Sequence, residues 1–160
     1  MAAPLATMRS AGLTIIPTIT DGTDKLVLSN LLSTEKGRTD VVNVITDLVT
    51  VNNFDGIDLD FENFAFVDGN TSWDTTKPFW VAFVKALSAS LHANGKLLSI
   101  TSPYLLDPAT GKKGYYVYAW AEIASVIDRL RIMTYDYSVA KPGPIGPLAW
   151  TENTLKYAVS

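Results

Sequence analysis

The 160-residue chain contains no cysteine, which excludes disulfides and thiolate chemistry and fits either side of a membrane. Its single histidine is His92, so a Ser-His-Asp triad would have to use that residue. No cluster of nitrogen or sulfur ligands for zinc can be assembled. No apolar run approaches the roughly 18 residues a transmembrane helix requires, and Met1 to Ala6 lacks the basic start and apolar core of a signal peptide. Charged residues make up 18% of the chain and the net charge is −3, which gives no electrostatic case for nucleic acid or an anionic membrane. What remains is 48% hydrophobic, the composition of a soluble globular protein, and long enough for one domain, 1–160, with a real core.

One stretch stands apart. In Asp55-Gly56-Ile57-Asp58-Leu59-Asp60-Phe61-Glu62 the apolar Ile57, Leu59 and Phe61 alternate with Asp58, Asp60 and Glu62. That is the period of a β-strand, greasy on one face and lined with three carboxylates on the other. Asp is a poor strand former, because its side chain competes for the backbone. Same-face neighbours lie roughly 6.6 Å apart at strand rise, so three full charges repel and the set should titrate as a coupled group with at least one proton retained.

Around this strand the chain alternates. Residues 1–12 read as the end of a helix or a linker closed by Gly12, and Leu13 to Thr20 as a buried strand with Pro17 as a local irregularity. Asp21 to Asp24 reads as a turn, and Thr34 to Asn52 has helical spacing. A polar loop with Trp73 is expected from Asn63 to Thr75, then a helix with Pro78 in its first turn and Gly95 at its stop. Lys96 to Ser102 reads as a strand, Pro103 to Gly114 as a loop, Tyr118 to Val126 as a short helix and Asp128 to Tyr137 as a further strand. The Pro- and Gly-rich Lys141 to Pro147 precedes another helix from Thr151. Strand starts near 13, 56, 97 and 129 imply a parallel α/β sheet with right-handed crossovers. A (β/α)₈ barrel takes about 250 residues for eight units, and four are present. The fold class is therefore α/β, either about half a TIM-type (β/α)₈ barrel or a small open sheet. Acids at the carboxyl end of a strand lie where either fold places its site.

Four uses of the acidic strand compete. A solvated strand face conflicts with the covering of parallel sheets on both sides. A calcium loop lacks the mid-loop glycine, and a strand does not wrap an ion. A divalent-metal site of the Asp-x-Asp kind has oxygen ligands but no Gly-rich phosphate loop beside it. Carboxylate acid–base chemistry places Glu62, at the outer end, as proton donor, its proton affinity raised by the neighbouring acids. Met133-Thr134-Tyr135-Asp136-Tyr137 ends the last expected strand, with Met133, Tyr135 and Tyr137 on one face and Asp136 at the transition to a loop. In a barrel it would share a mouth with Glu62.

Together the two stretches resemble glycoside hydrolase family 18, the chitinase-like barrels. Asp55 to Glu62 is similar to that family's Asp-x-x-Asp-x-Asp-x-Glu signature, and Met133-Thr134-Tyr135-Asp136 to its Met-x-Tyr-Asp motif, with one strand between. The resemblance implies that the chain holds the third to sixth strands of the barrel and that the first, second, seventh and eighth are missing. It further implies a retaining, substrate-assisted glycosidase acting on β-1,4-linked N-acetylglucosamine polymers such as chitin or a peptidoglycan-like glycan. Glu62 would be general acid and then base. Asp60 would hold the substrate acetamide nitrogen, Asp58 would share a proton with Asp60, Tyr135 would bond the acetamide oxygen and Asp136 would help seat the distorted sugar. Met133, Tyr137, Trp73 and Tyr104 are the further candidates for lining or stacking on the sugar, with Trp150 beside them. No metal or other cofactor is implied; the partner is a polysaccharide, not nucleic acid or a membrane, and the location is extracellular or at the cell wall. The alternatives are a non-catalytic sugar-binding relative, which retention of Glu62 argues against, and an inactive fragment of the enzyme. One departure is that the family's Ser-x-Gly-Gly is replaced by Pro17-Thr18-Ile19-Thr20-Asp21-Gly22. Asp55, Asp21 and Asp24 read as structural or turn residues, His92 as a helix-end surface residue, and Trp80 and Trp120 as core.

Overall fold

β-Branched and apolar residues at alternate positions form the strands, and helices with one apolar stripe cover them. The computed structural model describes residues 2–105 and 114–160; the turn expected at Asp107-Pro108 and Gly111 lies outside them. The chain opens with helix α1 (Ala2–Ser10), strand β1 (Thr18–Thr20), helices α2 (Val27–Ser33) and α3 (Glu35–Val51), and strand β2 (Gly56–Asp60). Helices α4 (Asn63–Phe66) and α5 (Trp73–Ala93) lead to strand β3 (Leu97–Pro103). A 3₁₀ turn at Tyr116–Tyr118 and helix α6 (Trp120–Ile123) precede strand β4 (Arg129–Met133), and helix α7 (Leu148–Ala158) follows. The four strands form one parallel sheet in chain order, β1-β2-β3-β4. This is the expected α/β alternation of an incomplete barrel.

Register gives each face its chemistry. Thr18 pairs with Asp58, Thr20 with Asp60, Asp58 with Ser99 and Thr101 with Arg131, so hydroxyls, acids and a guanidinium share one side. The other side presents Ile57, Leu59, Leu98 and Ile100, all fully buried. Ile45 and Val49 of α3 and Phe83, Val84, Leu87 and Leu91 of α5 belong to the same buried cluster. Trp80 is fully buried and donates its Nε1–H to the Tyr118 carbonyl at 3.1 Å; Trp120 is buried as well. Both are core, as expected.

Several boundaries differ from expectation. β1 is three residues long, because Pro17 has no N–H to donate to the ladder; the Ile15 and Pro17 carbonyls accept from Asp55 N–H and Asp58 N–H at 2.9 Å each, while the Ile15 N–H goes to the Asp55 side chain. Helix α2 fills a segment left unassigned, with Leu28 and Leu32 buried. Most of the expected loop from Asn63 to Thr75 is helical: α4 begins at Asn63 and α5 at Trp73, so Pro78 lies inside α5 and not in its first turn. α5 does stop at Gly95, whose φ of +66 lets its N–H reach the His92 carbonyl while Lys96 N–H reaches that of Leu91, both at 2.9 Å. The helix expected over Tyr118 to Val126 is broken at Ala119, φ 54. β4 ends at Met133, so Tyr135 and Tyr137 stand beyond the strand, and α7 starts at Leu148, ahead of Thr151.

Candidate active site

The polar face of the sheet converges on Asp58. Its side chain is buried, and one oxygen, Oδ2, accepts from Thr101 Oγ1 at 2.9 Å and from Thr18 Oγ1 and Arg131 Nη1 at 3.1 Å. The other oxygen, Oδ1, is buried without a partner among the described residues, as are Asp60 Oδ1 and Ser99 Oγ on the same face. Orphaned buried acceptors are costly. Two of them lie on successive same-face acids of one strand, Asp58 and Asp60.

Asp60 ends β2 and holds its proton more tightly than an ordinary carboxyl: burial is the largest cause, the charge of Asp58 the next, with Arg131 opposing and Asp21 adding. Glu62 stands two residues on, where the chain turns into α4. Its carboxyl is also raised, by burial first, then by Asp60 and Asp21. Although Glu62 occupies the N-cap position of α4, its side chain caps nothing; the carboxyl is left for other use.

The second motif meets the first across β3. Tyr135 is half-exposed, and its hydroxyl is raised by burial and then by Asp60, Glu62 and Asp136. A cavity of about 200 Å³ is lined by Thr18, Asp58, Asp60, Thr101, Arg131, Ile132, Met133 and Tyr135. Asp136 follows with φ 58. The loop after it folds back, Tyr137 N–H donating to the Ile145 carbonyl at 2.9 Å, and Gly146 approaches so closely that a Cβ there would stand 2.4 Å from the Thr134 carbonyl.

The other candidates do not gather at this cavity. Trp73 is not a loop residue: it opens α5, is buried, and donates Nε1–H to the Ala65 carbonyl at 3.0 Å while its ring packs on Tyr115 and Tyr116. A ring so enclosed offers no face to a sugar, which corrects its assignment to substrate. Trp150 is likewise a buried residue of α7. Tyr104 and Tyr137 flank it, with ring centroids 5.7 and 5.3 Å away, and Tyr137 is exposed. His92 lies at the opposite end of the strands, its Nε2 2.9 Å from Asp128 Oδ2. Asp55 holds the start of β2, its Oδ2 accepting from Ile15 N–H at 2.6 Å.

Two residues near the acids escaped the sequence reading. Arg131 sits two positions before Met133, so strand period alone puts it on the acidic face. Asp21, taken for a turn residue, is buried and accepts the N–H groups of Glu62, Asn63 and Phe64. Its place just after an expected strand was its only signal.

Comparison with known proteins adds a separate line. The sequence model of glycosyl hydrolases family 18 matches residues 2–160. YdhD of Bacillus subtilis strain 168, which bears the provisional name of a sporulation-specific glycosylase, is 27% identical over 99% of this chain and 37% of its own length. Its crystal structure superposes with a TM-score of 0.83 at 25% identity, covering 99% of this chain and 51% of the other. Chitinase A1 of Niallia circulans is 31% identical over 70% of this chain and 16% of its own. A class V chitinase from Pseudomonas fluorescens Pf-5 gives a TM-score of 0.80 at 25% identity, covering 98% of this chain and 49% of the other. The chain thus spans about half of these solved structures and less of the curated relatives.

Proposed function

The chain belongs to glycosyl hydrolases family 18, and from that membership we propose that the protein serves the hydrolysis of β-1,4-linked N-acetylglucosamine polymers, chitin or a peptidoglycan-like glycan, with retention. The observation that carries the reading is the pair Asp60 and Glu62 at the carboxyl end of β2. Both hold protons above the ordinary carboxylate range, and Tyr135 stands within their field. A carboxyl raised in this way keeps its proton to higher pH than an ordinary one, which favours its use as a proton donor.

In this scheme Glu62 protonates the glycosidic oxygen as the bond to the anomeric carbon breaks. The acetamide oxygen of the same sugar forms the new bond to that carbon, giving an oxazolinium ion. Asp60 accepts the acetamide N–H, and Tyr135 donates to the acetamide oxygen. Asp58, fixed by two hydroxyls and Arg131, supplies the charge beneath Asp60 and shares its proton through the free Oδ1. Glu62 then takes a proton from water, which opens the oxazolinium from the face the leaving group left. Asp136 seats the sugar, and Met133 contributes to the wall of the cavity, with Tyr104 and Tyr137 outside it beside Trp150. The sporulation name of YdhD and the spore cortex-lytic SleL of Bacillus megaterium, a structural neighbour, support a site of action at a cell wall.

Glu62→Gln tests the reading, because it keeps the shape and removes the transferable proton. Turnover of N-acetylglucosamine oligomers should fall by about 10²- to 10⁴-fold while oligomer binding, followed by calorimetry, persists. Undiminished turnover would refute the assignment; binding without turnover in the wild type would transfer it to a sugar-binding protein.

A further inference from the structure

We infer that Asp21, on the loop leaving β1, is a positioning residue for Glu62: it caps from another strand the turn that Glu62 opens, and so fixes where that carboxyl stands. This rests on the catalytic reading of Glu62. The three hydrogen bonds are specific. Asp21 Oδ1 accepts from Glu62 N–H at 2.6 Å and Asn63 N–H at 2.9 Å, and Oδ2 accepts from Phe64 N–H at 3.0 Å. Asn63 Nδ2 donates to the Thr23 carbonyl at 2.8 Å, tying the same loop from the other direction.

The consequence lies in what Glu62 is spared. The first N–H groups of a helix have no partner within it and must be satisfied by a capping side chain or by water. A general acid used as that cap would point away from its substrate. Here an acid from the neighbouring strand takes those N–H groups, and the Glu62 side chain makes no cap. Because Thr20 pairs with Asp60, the sheet register itself delivers Asp21 beside Glu62. The capping acid is also among the groups acting on Glu62. Burial first, then Asp60 and Asp21, raise its proton affinity, while Glu62 in turn acts on Tyr118 and Tyr135. One residue therefore orients the proton donor and helps to keep it loaded.

Two variants separate the effects. Asp21→Asn keeps an acceptor for Glu62 and Asn63 but removes the charge; Asp21→Ala removes both. The titration of the Glu62 side-chain carboxyl carbon, followed by NMR, should move in Asp21→Asn towards the ordinary glutamate range, and the alkaline limb of kcat should move down with it. In Asp21→Ala the amides of Glu62, Asn63 and Phe64 should exchange at least tenfold faster. With the donor misplaced, kcat should fall about 10- to 100-fold, with KM within about twofold. Asp74→Asn, at a carboxylate that is not among the groups acting on Glu62, controls for general charge effects. An unmoved Glu62 titration in Asp21→Asn, or wild-type kcat and exchange in Asp21→Ala, overturns the inference. The carboxyl titration does not depend on turnover, so it reports on Asp21 even where Glu62→Gln shows that the catalytic reading has failed. A folded Asp21→Asn protein, verified by its amide spectrum, keeps the test available if Asp21→Ala does not fold.

Discussion

Arg131→Met isolates the buried charge beneath the active carboxyls. The Asp58 side chain is 1% exposed and that of Arg131 60%, with Nη1 and Oδ2 3.1 Å apart. Two unit charges about 4 Å apart interact with about 4 kcal/mol at an effective dielectric of 20. The guanidinium is largely in water, however, and Thr18 and Thr101 remain on Asp58 when it is removed. Solvent screening therefore reduces the expected loss to about 1–2 kcal/mol. Methionine keeps the length of the stem and its packing. At roughly 2–4 °C per kcal/mol for a domain of this size, Tm should fall by about 2–8 °C. The assay is a double-mutant cycle by urea unfolding at pH 7. Asp58→Asn leaves an acceptor for both hydroxyls but no charge, so the combined variant should be about 1–2 kcal/mol more stable than additivity predicts. A loss under about 0.3 kcal/mol, or an equal loss with and without the Asp58 charge, would show that Arg131 is not the counter-ion of this site.

Two further predictions concern pH. Asp60 is raised in the folded chain, so its contribution is fullest below the unfolded carboxylate value, about 3.9, and is lost as pH rises through the folded value. Asp60→Asn should therefore raise Tm at pH 7 while abolishing turnover, and calorimetry at about pH 3.5 should show the gain gone; an equal gain at both pH values would refute the linkage. Asp128 has the opposite sign: burial raises it, but the His92 hydrogen bond and the Leu98 N–H outweigh burial and leave it lowered. Its contribution is complete above the unfolded carboxylate value and lost as pH falls through the folded one, so Asp128→Asn should lower Tm at pH 6 with the difference closing below about pH 3; matching curves at pH 6 would refute it.

Both motifs were legible because their signal is local. Period-two alternation puts Asp58 and Asp60 on one face whatever the rest of the chain does, and the β-α order then fixes a parallel sheet. Boundaries set by tertiary contacts were not legible. Pro78 looks like the first turn of a helix by propensity, yet the helix begins at Trp73, whose indole is anchored on Ala65 and which is buried, as is Thr76 after it. Burial outweighed local preference there. The same anchoring explains why an aromatic that seemed available to a sugar is not. Tyr135 was expected on strand geometry; the ladder stops at Met133 and the close approach of Gly146 to the Thr134 carbonyl shapes the loop instead. Asp21 was invisible for a different reason. Its partners are backbone N–H groups more than forty positions away, which carry no side-chain signal.

The acids of this chain sort by what their oxygens hold. At the amino end of the sheet Asp55 accepts Ile15 N–H and Asp128 accepts Leu98 N–H, each fastening a strand to its neighbour. On the loops Asp68 accepts Leu26 N–H and the Ser29 hydroxyl, and Asp21 takes three amides. Each of these turns its charge into chain connectivity, and backbone amides are suited to that because they cannot leave. At the carboxyl end of β2 the pattern reverses. Asp58 gathers all its donors on one oxygen, while its other oxygen and Oδ1 of Asp60 are buried without any. A structural acid left half satisfied would be a net cost, since burial penalises the charge and no bond repays it. Asp21 and Asp68 are about as buried as Asp58, while Asp55 and Asp128 are exposed, so accessibility alone does not separate the two kinds of acid. The incomplete hydrogen bonding of Asp58 and Asp60 does: each keeps one buried carboxylate oxygen for which the described residues supply no donor.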